Sequence, residues 1–288
     1  MIIIRTAGRG KGLPFFLAVF FLFSLPLSAQ DRTIPLLISE HHADHLEFFL
    51  YHSVHNDSAH SGPVMIVLDA HADTVKNEQS DLISSLAVMQ NFSHIGELAG
   101  NHDWIHPLAS FALRELVWIS TIRGYPRNGK LTGFQRNLAS WNERVRAYSL
   151  SIEELRFREI TAGKIFISVD LDFFYSEDHS PQDVSAVLDA LFAFSSRLPC
   201  QAVWAFCLSR PWLPSDEYAW TLLEQALRWL NSRPEFRAPA ITVFDSRRVD
   251  TSRKAQTLRA EGREMPILRE ADAPAHIKSL IRELEQRK

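Results

Sequence analysis

Apolar stretches that end in polar, ligand-type side chains dominate the hydrophobic pattern of this chain. The run Val64–Leu68 is apolar throughout and leads directly into the sequence Asp-Ala-His-Ala-Asp at residues 69–73. An unbroken apolar run with β-branched members predicts a strand that is buried on both faces. Side chains alternate along an extended strand, so Asp69, His71 and Asp73 would leave it on one side if the backbone stays extended.

A second run repeats this arrangement further along the chain. Residues 165–172 read Ile-Phe-Ile-Ser-Val-Asp-Leu-Asp, which predicts another strand with Asp170 and Asp172 on one face at its end. Ligands bind beyond the carboxyl ends of strands in open α/β sheets. The two runs together therefore predict one site at one edge of a sheet.

The remaining hydrophobic pattern alternates between strand and helix signals. This alternation predicts a mostly parallel sheet that helices cover on both faces. Ser80 and Ser180 are predicted to cap helices, residues 100–107 to form a polar loop, and residues 125–141 to be irregular. The other predicted strands are 34–38, 116–119, 202–208 and 241–244, and the other predicted helices follow residues 40–45, 180 and 215.

The first 29 residues have the features of a secretory signal peptide. Three basic residues precede an apolar run at residues 13–27, and Leu-Ser-Ala at residues 27–29 offers small side chains for cleavage before Gln30. The alternative is an uncleaved membrane anchor, since a spanning helix needs about 20 residues. We expect a signal peptide at residues 1–29 and an exported domain at 30–288, periplasmic or secreted, without stable membrane association after cleavage.

Composition narrows the function further. The chain has 288 residues, 46% of them hydrophobic, which suits one sizeable domain. Its net charge is -3 and it has no basic stripe, which argues against nucleic-acid binding.

Cys200 and Cys207 are the two cysteines. They fall in one predicted extended segment, residues 200–208, roughly 23 Å apart, whereas a disulfide needs Cα atoms within about 7 Å. We expect both to be buried as small apolar residues.

Carboxylates and imidazoles without thiolates favour a hard or borderline ion such as Mn²⁺. Four aspartates exceed what one ion needs, and two ions about 3.5–4 Å apart fit better, since such a pair activates water near neutral pH. Four carboxylates also balance two divalent cations. A site neutralised in this way is open to a cationic substrate.

At these residues the chain resembles the arginase (ureohydrolase) superfamily, which carries an Asp-Ala-His-x-Asp motif and a later Ser-x-Asp-x-Asp motif. The first motif matches residues 69–73 and the second matches residues 168–172. The resemblance implies a three-layer α/β/α fold, two Mn²⁺ ions, and hydrolysis of a guanidinium or related C–N bond. It also implies a histidine ligand after the first strand, either His42, which we favour, or His41. The other implied ligands are Asp69, His71, Asp73, Asp170 and Asp172.

The chain departs from the main family in two places. Glu40-His41-His42 replaces the family's Gly-Gly-Asp-His, and Phe-Phe-Tyr at residues 173–175 replaces an Asp-Pro. The chain is more similar to a divergent branch with a Glu-x-His segment and a loop like Asn-His-Asp-Trp-Ile at residues 101–105. Some members of that branch are peptide arginases, which convert arginine side chains in peptides to ornithine. The resemblance spans roughly residues 36–245.

Several polar residues near these motifs are candidates for catalysis or substrate binding. His102 is the candidate that moves a proton to the leaving amine, and Asp73 is a second catalytic candidate. Glu177 and Glu217 are candidates for receiving the guanidinium of a small-molecule or peptide substrate. Arg210 either binds an acidic group or pairs with an acid of the chain.

Other functions compete with this interpretation. Residues 69–71 and 100–103 imitate part of a calcineurin-like metallophosphoesterase pattern, but the rest of that pattern is absent and Asp170 and Asp172 would be unused. A zinc-dependent deacetylase would not need both Asp73 and Asp172. A non-catalytic metal-binding protein is a further alternative, which turnover assays with added Mn²⁺ would separate from an enzyme.

Overall fold

Seven parallel strands form one sheet in the order β4-β3-β2-β5-β6-β1-β7. The structure is a computed structural model that describes residues 33–54, 62–71, 73–92, 95–119, 145–175, 183–237, 239–244 and 268–287. The strands are β1 Leu36–Ser39, β2 Val64–Leu68, β3 Glu115–Ile119, β4 Arg146–Leu150, β5 Lys164–Asp170, β6 Gln201–Cys207 and β7 Ala240–Thr242.

Helices cover both faces of this sheet, which confirms the three-layer α/β/α architecture. The helices are α1 His42–Val54, α2 Ser80–Val88, α3 Ile105–Phe111, α4 Ile152–Leu155, α5 Val184–Ser196, α6 Asp216–Asn231 and α7 Ala275–Glu285. Successive side chains of a strand point to opposite faces of the sheet, so the core forms two clusters. Ile66 and Ile167 pack in the cluster that includes α5, α6 and α7, whereas Met65 and Phe166 pack with α1, α2 and α3.

The predicted helix starts were less accurate than the predicted strands. Gln79, not Ser80, is the N-cap of α2, and the Ser80 hydroxyl instead donates to the carbonyl of Asn77 at 2.8 Å. Asp183 caps α5 by accepting a hydrogen bond from the Ala186 amide at 3.1 Å. Ser180 lies outside the described residues, as do residues 1–29 and 125–141.

Helix α3 occupies part of the stretch that the sequence pattern predicts to be a polar loop. Pro107 stands in its first turn, where a missing amide donor costs nothing. Burial of Ile105, Leu108 and Ala109 against the sheet explains why this short segment is helical.

In the part of the chain that the structure describes, no helix combines the length and apolar character needed to cross a membrane.

The chain reverses its direction across the sheet between β2 and β5. After β2 it continues to β3 and β4 on one side, and after β5 it continues to β6 on the other. The connections that leave these two neighbouring strands therefore diverge and open a crevice at their carboxyl ends. Such a switch point is where open α/β sheets bind their ligands.

Candidate metal centre

Three groups of ligand-type side chains meet in this crevice, and within each group the ligand atoms lie within 4.8 Å of one another. Asp69 belongs to two of the groups and His42 also belongs to two. The groups are His42 with Asp69 and Asp73, Asp69 with His71 and Asp172, and His42 with Asp170 and Cys207. All six predicted metal ligands thus lie in this one cluster.

The first acidic motif is held by a turn rather than by a continuing strand. Strand β2 ends at Leu68, and the Trp118 indole on the neighbouring β3 donates to the Asp69 carbonyl at 3.0 Å. The His71 amide donates to Asp69 Oδ1 at 2.6 Å, and Asp73 has a positive φ of 43°. The backbone therefore bends after Leu68 instead of staying extended, and the bend brings these three side chains into the cluster.

The second acidic motif ends β5 and caps the turn that follows. Asp170 Oδ1 accepts a hydrogen bond from the Asp172 amide at 3.0 Å, which holds the 3₁₀ turn Leu171–Phe174. Asp172 reaches across to the first motif, where its Oδ2 lies 2.9 Å from His71 Nδ1. The Ser209 hydroxyl after β6 donates to Asp170 Oδ2 at 2.7 Å.

His42 brings the end of β1 into the cluster. It is the first residue of α1, and its amide donates to Asn101 Oδ1 at 3.0 Å. Its Nδ1 lies 2.8 Å from Asp73 Oδ2, and its Nε2 lies 3.3 Å from Asp170 Oδ2. His41 belongs to none of the ligand groups, and its Nε2 lies 3.8 Å from Glu40 Oε2.

The loop before α3, which the resemblance already includes at residues 101–105, supports the ligands through two of its side chains. Trp104 Nε1 donates to Asp73 Oδ2 at 3.0 Å, and the Trp104 ring stacks on the ring of His42 with centroids 5.4 Å apart. Together with Asn101, Trp104 fixes two ligands from one loop. Its position within the polar stretch 100–107 is the sequence signal that could have found it.

The predicted catalytic histidine lies in this same loop. His102 is half-buried, and its Nδ1 is a buried atom with no hydrogen-bond partner in the described part of the chain. Its carbonyl accepts a hydrogen bond from the Val75 amide at 3.1 Å, which ties the loop to the segment after the first motif. A role of His102 in proton transfer stays a prediction.

Arg210 and Glu217, two of the predicted substrate-binding residues, belong to none of the three ligand groups. Arg210 is buried, and its Nη2 donates to Glu40 Oε1 at 2.6 Å while Nη1 donates to Asp216 Oδ1 at 3.3 Å. Of its two predicted roles, the structure therefore favours pairing with acids of the chain. Glu217 is fully exposed in the first turn of α6, and Glu177 lies outside the described residues.

The electrostatics of the cluster fit bound cations. Burial and the neighbouring Asp73, Asp172 and Asp170 raise the pKa of Asp69 well above its ordinary value, and burial with Asp172 raises the pKa of Asp170 to about 8. None of the ion pairs that the described residues form brings a lysine or arginine to these carboxylates. Two buried atoms of the predicted metal ligands, Asp69 Oδ2 and His42 Nε2, also lack hydrogen-bond partners within the described part of the chain. Divalent ions would stabilise the ionised form of these buried aspartates and would coordinate the two atoms that lack hydrogen-bond partners.

The carboxylates of the cluster also raise the pKa values of two histidines, His42 and His71. Burial alone would lower the pKa of His42, but Cys207, Asp170 and Asp73 together raise it well above 6.5. Burial is likewise outweighed at His71, whose pKa is raised chiefly by its hydrogen bond and charge interaction with Asp172. The His71 side chain is 42% exposed, and its ring centroid lies 4.1 Å from that of Trp212. The cluster therefore opens to solvent beside His71.

Chelator-treated protein is expected to become less stable as the pH rises from 6.5 to 8. The unfolded Asp170 is ionised above its ordinary pKa of 3.8, whereas the folded one keeps its proton up to about 8, so its contribution to stability is lost as pH rises through that value. His42 acts in the same direction, because its raised pKa stabilises the folded state at low pH and loses this effect at higher pH.

Thermal melting of the chelator-treated protein at the two pH values measures this slope. Asp170→Asn should flatten it, and added Mn²⁺ should stabilise the wild-type protein more at pH 8 than at 6.5. His45 has a lowered pKa, so its contribution is complete once the pH exceeds 6.5 and does not obscure the slope. A melting temperature that is constant or rises over this interval would contradict the account.

No protein-family model and no curated protein matches this chain.

Proposed function

We propose that this protein is a dinuclear-metal hydrolase, resembling arginases, that cleaves a guanidinium C–N bond of arginine or of an arginine residue in a peptide. The observation that supports the proposal is the pair of ligand groups that share Asp69 at the switch point of a parallel sheet. A carboxylate shared between two ligand groups is an arrangement that suits a pair of ions bound side by side. A mononuclear deacetylase would have no use for both groups.

The chain's own residues would hold two divalent ions, with manganese preferred. His42, Asp69 and Asp73 would serve one ion and Asp69, His71 and Asp172 the other, with Asp170 beside both. These two groups contain only carboxylate and imidazole ligands, which suit Mn²⁺. Two such ions would supply Lewis acidity and lower the pKa of water towards neutrality.

The charges of the site favour a cationic substrate. Asp69, Asp73, Asp170 and Asp172 balance the charge of two divalent ions, so the occupied centre would not repel a guanidinium. The substrate would enter beside His71, where the cluster is open and Trp212 forms a wall. Peptidyl arginine and free arginine are equally good candidate substrates for this site.

The reaction is a hydrolysis. The oxygen of water forms a bond to the guanidinium carbon, and the bond from that carbon to the side-chain nitrogen breaks. The products are urea and an ornithine-type amine. We assign proton transfer to the leaving amine to His102, whose loop also carries Trp104, the residue that donates to Asp73.

The compartment is part of the proposal. Removal of residues 1–29 as a signal peptide would release an exported protein, periplasmic or secreted, without a stable membrane attachment.

Incubation of Mn²⁺-loaded protein with free arginine, agmatine and arginine-containing peptides tests the function. We expect urea from at least one of these substrates, and for peptides a loss of mass equal to CN₂H₂. His102→Gln should slow the reaction by about 10²–10⁴-fold, which is the usual contribution of a general acid or base. Its metal content should be unchanged.

Two results would replace the proposal with an alternative. Phosphate release from phosphoesters without urea from any guanidine would favour a metallophosphoesterase. Acetate release from acetylated amines without urea would favour a deacetylase.

A further inference from the structure

Cys207 lies among polar groups rather than in an apolar core. It ends β6, is fully buried, and is aligned with Asp170 on β5 and with Ser39 on β1. Its thiol donates to the Glu40 carbonyl at 3.3 Å, and its Sγ lies 3.3 Å from the Ser209 hydroxyl. The expectation that Cys207 is buried is confirmed, although its thiol has polar neighbours, whereas Cys200 is only half-buried. Both cysteines are free, as predicted.

The second observation concerns the ring of His42. Its two nitrogens face different ligand groups, Nδ1 towards Asp73 at 2.8 Å and Nε2 towards Asp170 at 3.3 Å. The Nε2 atom is buried and makes no hydrogen bond within the described part of the chain. Together with Asp170 and Cys207, His42 forms a ligand group whose atoms lie within 4.8 Å of one another. An unpartnered buried nitrogen thus faces a carboxylate and a thiol.

We propose that His42, Asp170 and Cys207 form a thiolate-containing site for a borderline-soft divalent ion such as Zn²⁺. This site and the carboxylate-rich centre are mutually exclusive, because a neutral imidazole has one nitrogen free to bind an ion while its other nitrogen carries the proton. The inference concerns which metal the crevice accepts, and it stands whether or not the protein hydrolyses guanidines.

The donor set matches tetrahedral zinc. Zinc binds sulfur at about 2.3 Å and nitrogen or oxygen at about 2.0–2.1 Å, so neighbouring ligand atoms of a tetrahedral site lie roughly 3.3–3.6 Å apart. The 3.3 Å separation of His42 Nε2 and Asp170 Oδ2 already has this value. A nitrogen, an oxygen and a sulfur leave a fourth position for water. Mn²⁺ prefers oxygen ligands, so it would bind to the two carboxylate-rich ligand groups that share Asp69.

Binding requires the thiol of Cys207 to lose its proton. The S–H bond breaks, the sulfur keeps the electron pair and coordinates the ion, and the proton passes to the solvent. The Ser209 hydroxyl lies 3.3 Å from Sγ and 2.7 Å from Asp170 Oδ2, so it can donate to either ligand as the site fills. Zinc binding should therefore release a proton.

Absorption spectroscopy of the protein with Co²⁺, a spectroscopic substitute for Zn²⁺, tests this site. We expect a sulfur-to-cobalt charge-transfer band in the near ultraviolet for the wild-type protein. Cys207→Ser should lose the band, whereas Cys200→Ser should keep it and serves as the matched control, since it removes the other cysteine of the chain. Addition of Zn²⁺ should bleach the band by displacement.

Affinity measurements extend the test to zinc itself. Cys207→Ser should weaken Zn²⁺ binding at least about tenfold, because even residues that only support a ligand are worth this much. Its Mn²⁺ content should be that of the wild type. Bound Co²⁺ without a charge-transfer band in the wild-type protein would overturn the proposal, as would a band that persists in Cys207→Ser. An intact band without urea formation would refute the hydrolase function alone.

Discussion

Asp69→Asn is expected to remove at least one of the two bound divalent ions and to lower urea formation more than about 100-fold, because changes that only support a ligand already cost about 10–100-fold. Asp69 belongs to both carboxylate groups of the cluster, so its loss weakens both ion sites at once. Elemental analysis of the Mn²⁺-loaded variant measures the loss of metal, and a urea assay measures the loss of activity.

The variant should lose metal without losing its fold. An asparagine oxygen can still accept the hydrogen bond from the His71 amide. Removing the charge also relieves the repulsion that raises the pKa of Asp69. Chelator-treated Asp69→Asn should therefore melt no lower than chelator-treated wild type. Asp81→Asn, which changes an exposed aspartate in the first turn of α2, is the control and should keep both ions. Full metal content in Asp69→Asn would contradict the assignment.

Arg210→Met should lower the free energy of unfolding by about 3–5 kcal/mol, because it removes the arginine that pairs with the buried carboxylate of Glu40. Arg210 Nε and Nη2 both donate to Glu40 Oε1, at 2.9 and 2.6 Å, and the two side chains are 3% and 6% exposed. For a domain of this size, such a loss lowers the melting temperature on the order of 10 °C. Thermal and denaturant unfolding measure it.

Two further variants separate the buried pair from charge in general. Glu40→Gln combined with Arg210→Met should recover most of the lost stability, since a buried pair replaced as a whole is often neutral. Arg228→Met removes a surface pair with Glu224, 2.7 Å apart one turn along α6, and should cost at most about 1 kcal/mol. Equal losses in Arg210→Met and Arg228→Met would show that the buried pair has no special role.

The main strands and their common edge were predictable because their signals are local. The apolar runs before Asp69 and Asp170 form β2 and β5, which are adjacent in the sheet, and the parallel arrangement brings both acidic motifs to one edge. The choice between His41 and His42 was not predictable from periodicity. Both are next to the start of α1, and only the backbone geometry there decides which ring enters the crevice.

The contacts that hold the ligands were not predictable, because they join residues from separate elements. Trp104 reaches Asp73 from the loop before α3, and Ser209 reaches Asp170 from the end of β6. Asp73 and Ser209 also adopt positive φ values of 43° and 45°, which favour glycine and leave no mark in a hydrophobic pattern. The polar neighbours of Cys207 were not predictable either, because an apolar sequence pattern predicts that a residue is buried but not which side chains surround it.

The count of bound manganese ions per chain tests the central claim most directly. The protein would be loaded with Mn²⁺, freed of unbound ions and analysed for metal and protein content together. The proposed centre requires two ions per chain in the wild-type protein. A wild-type ratio of one or zero would contradict a dinuclear centre at the ends of β2 and β5.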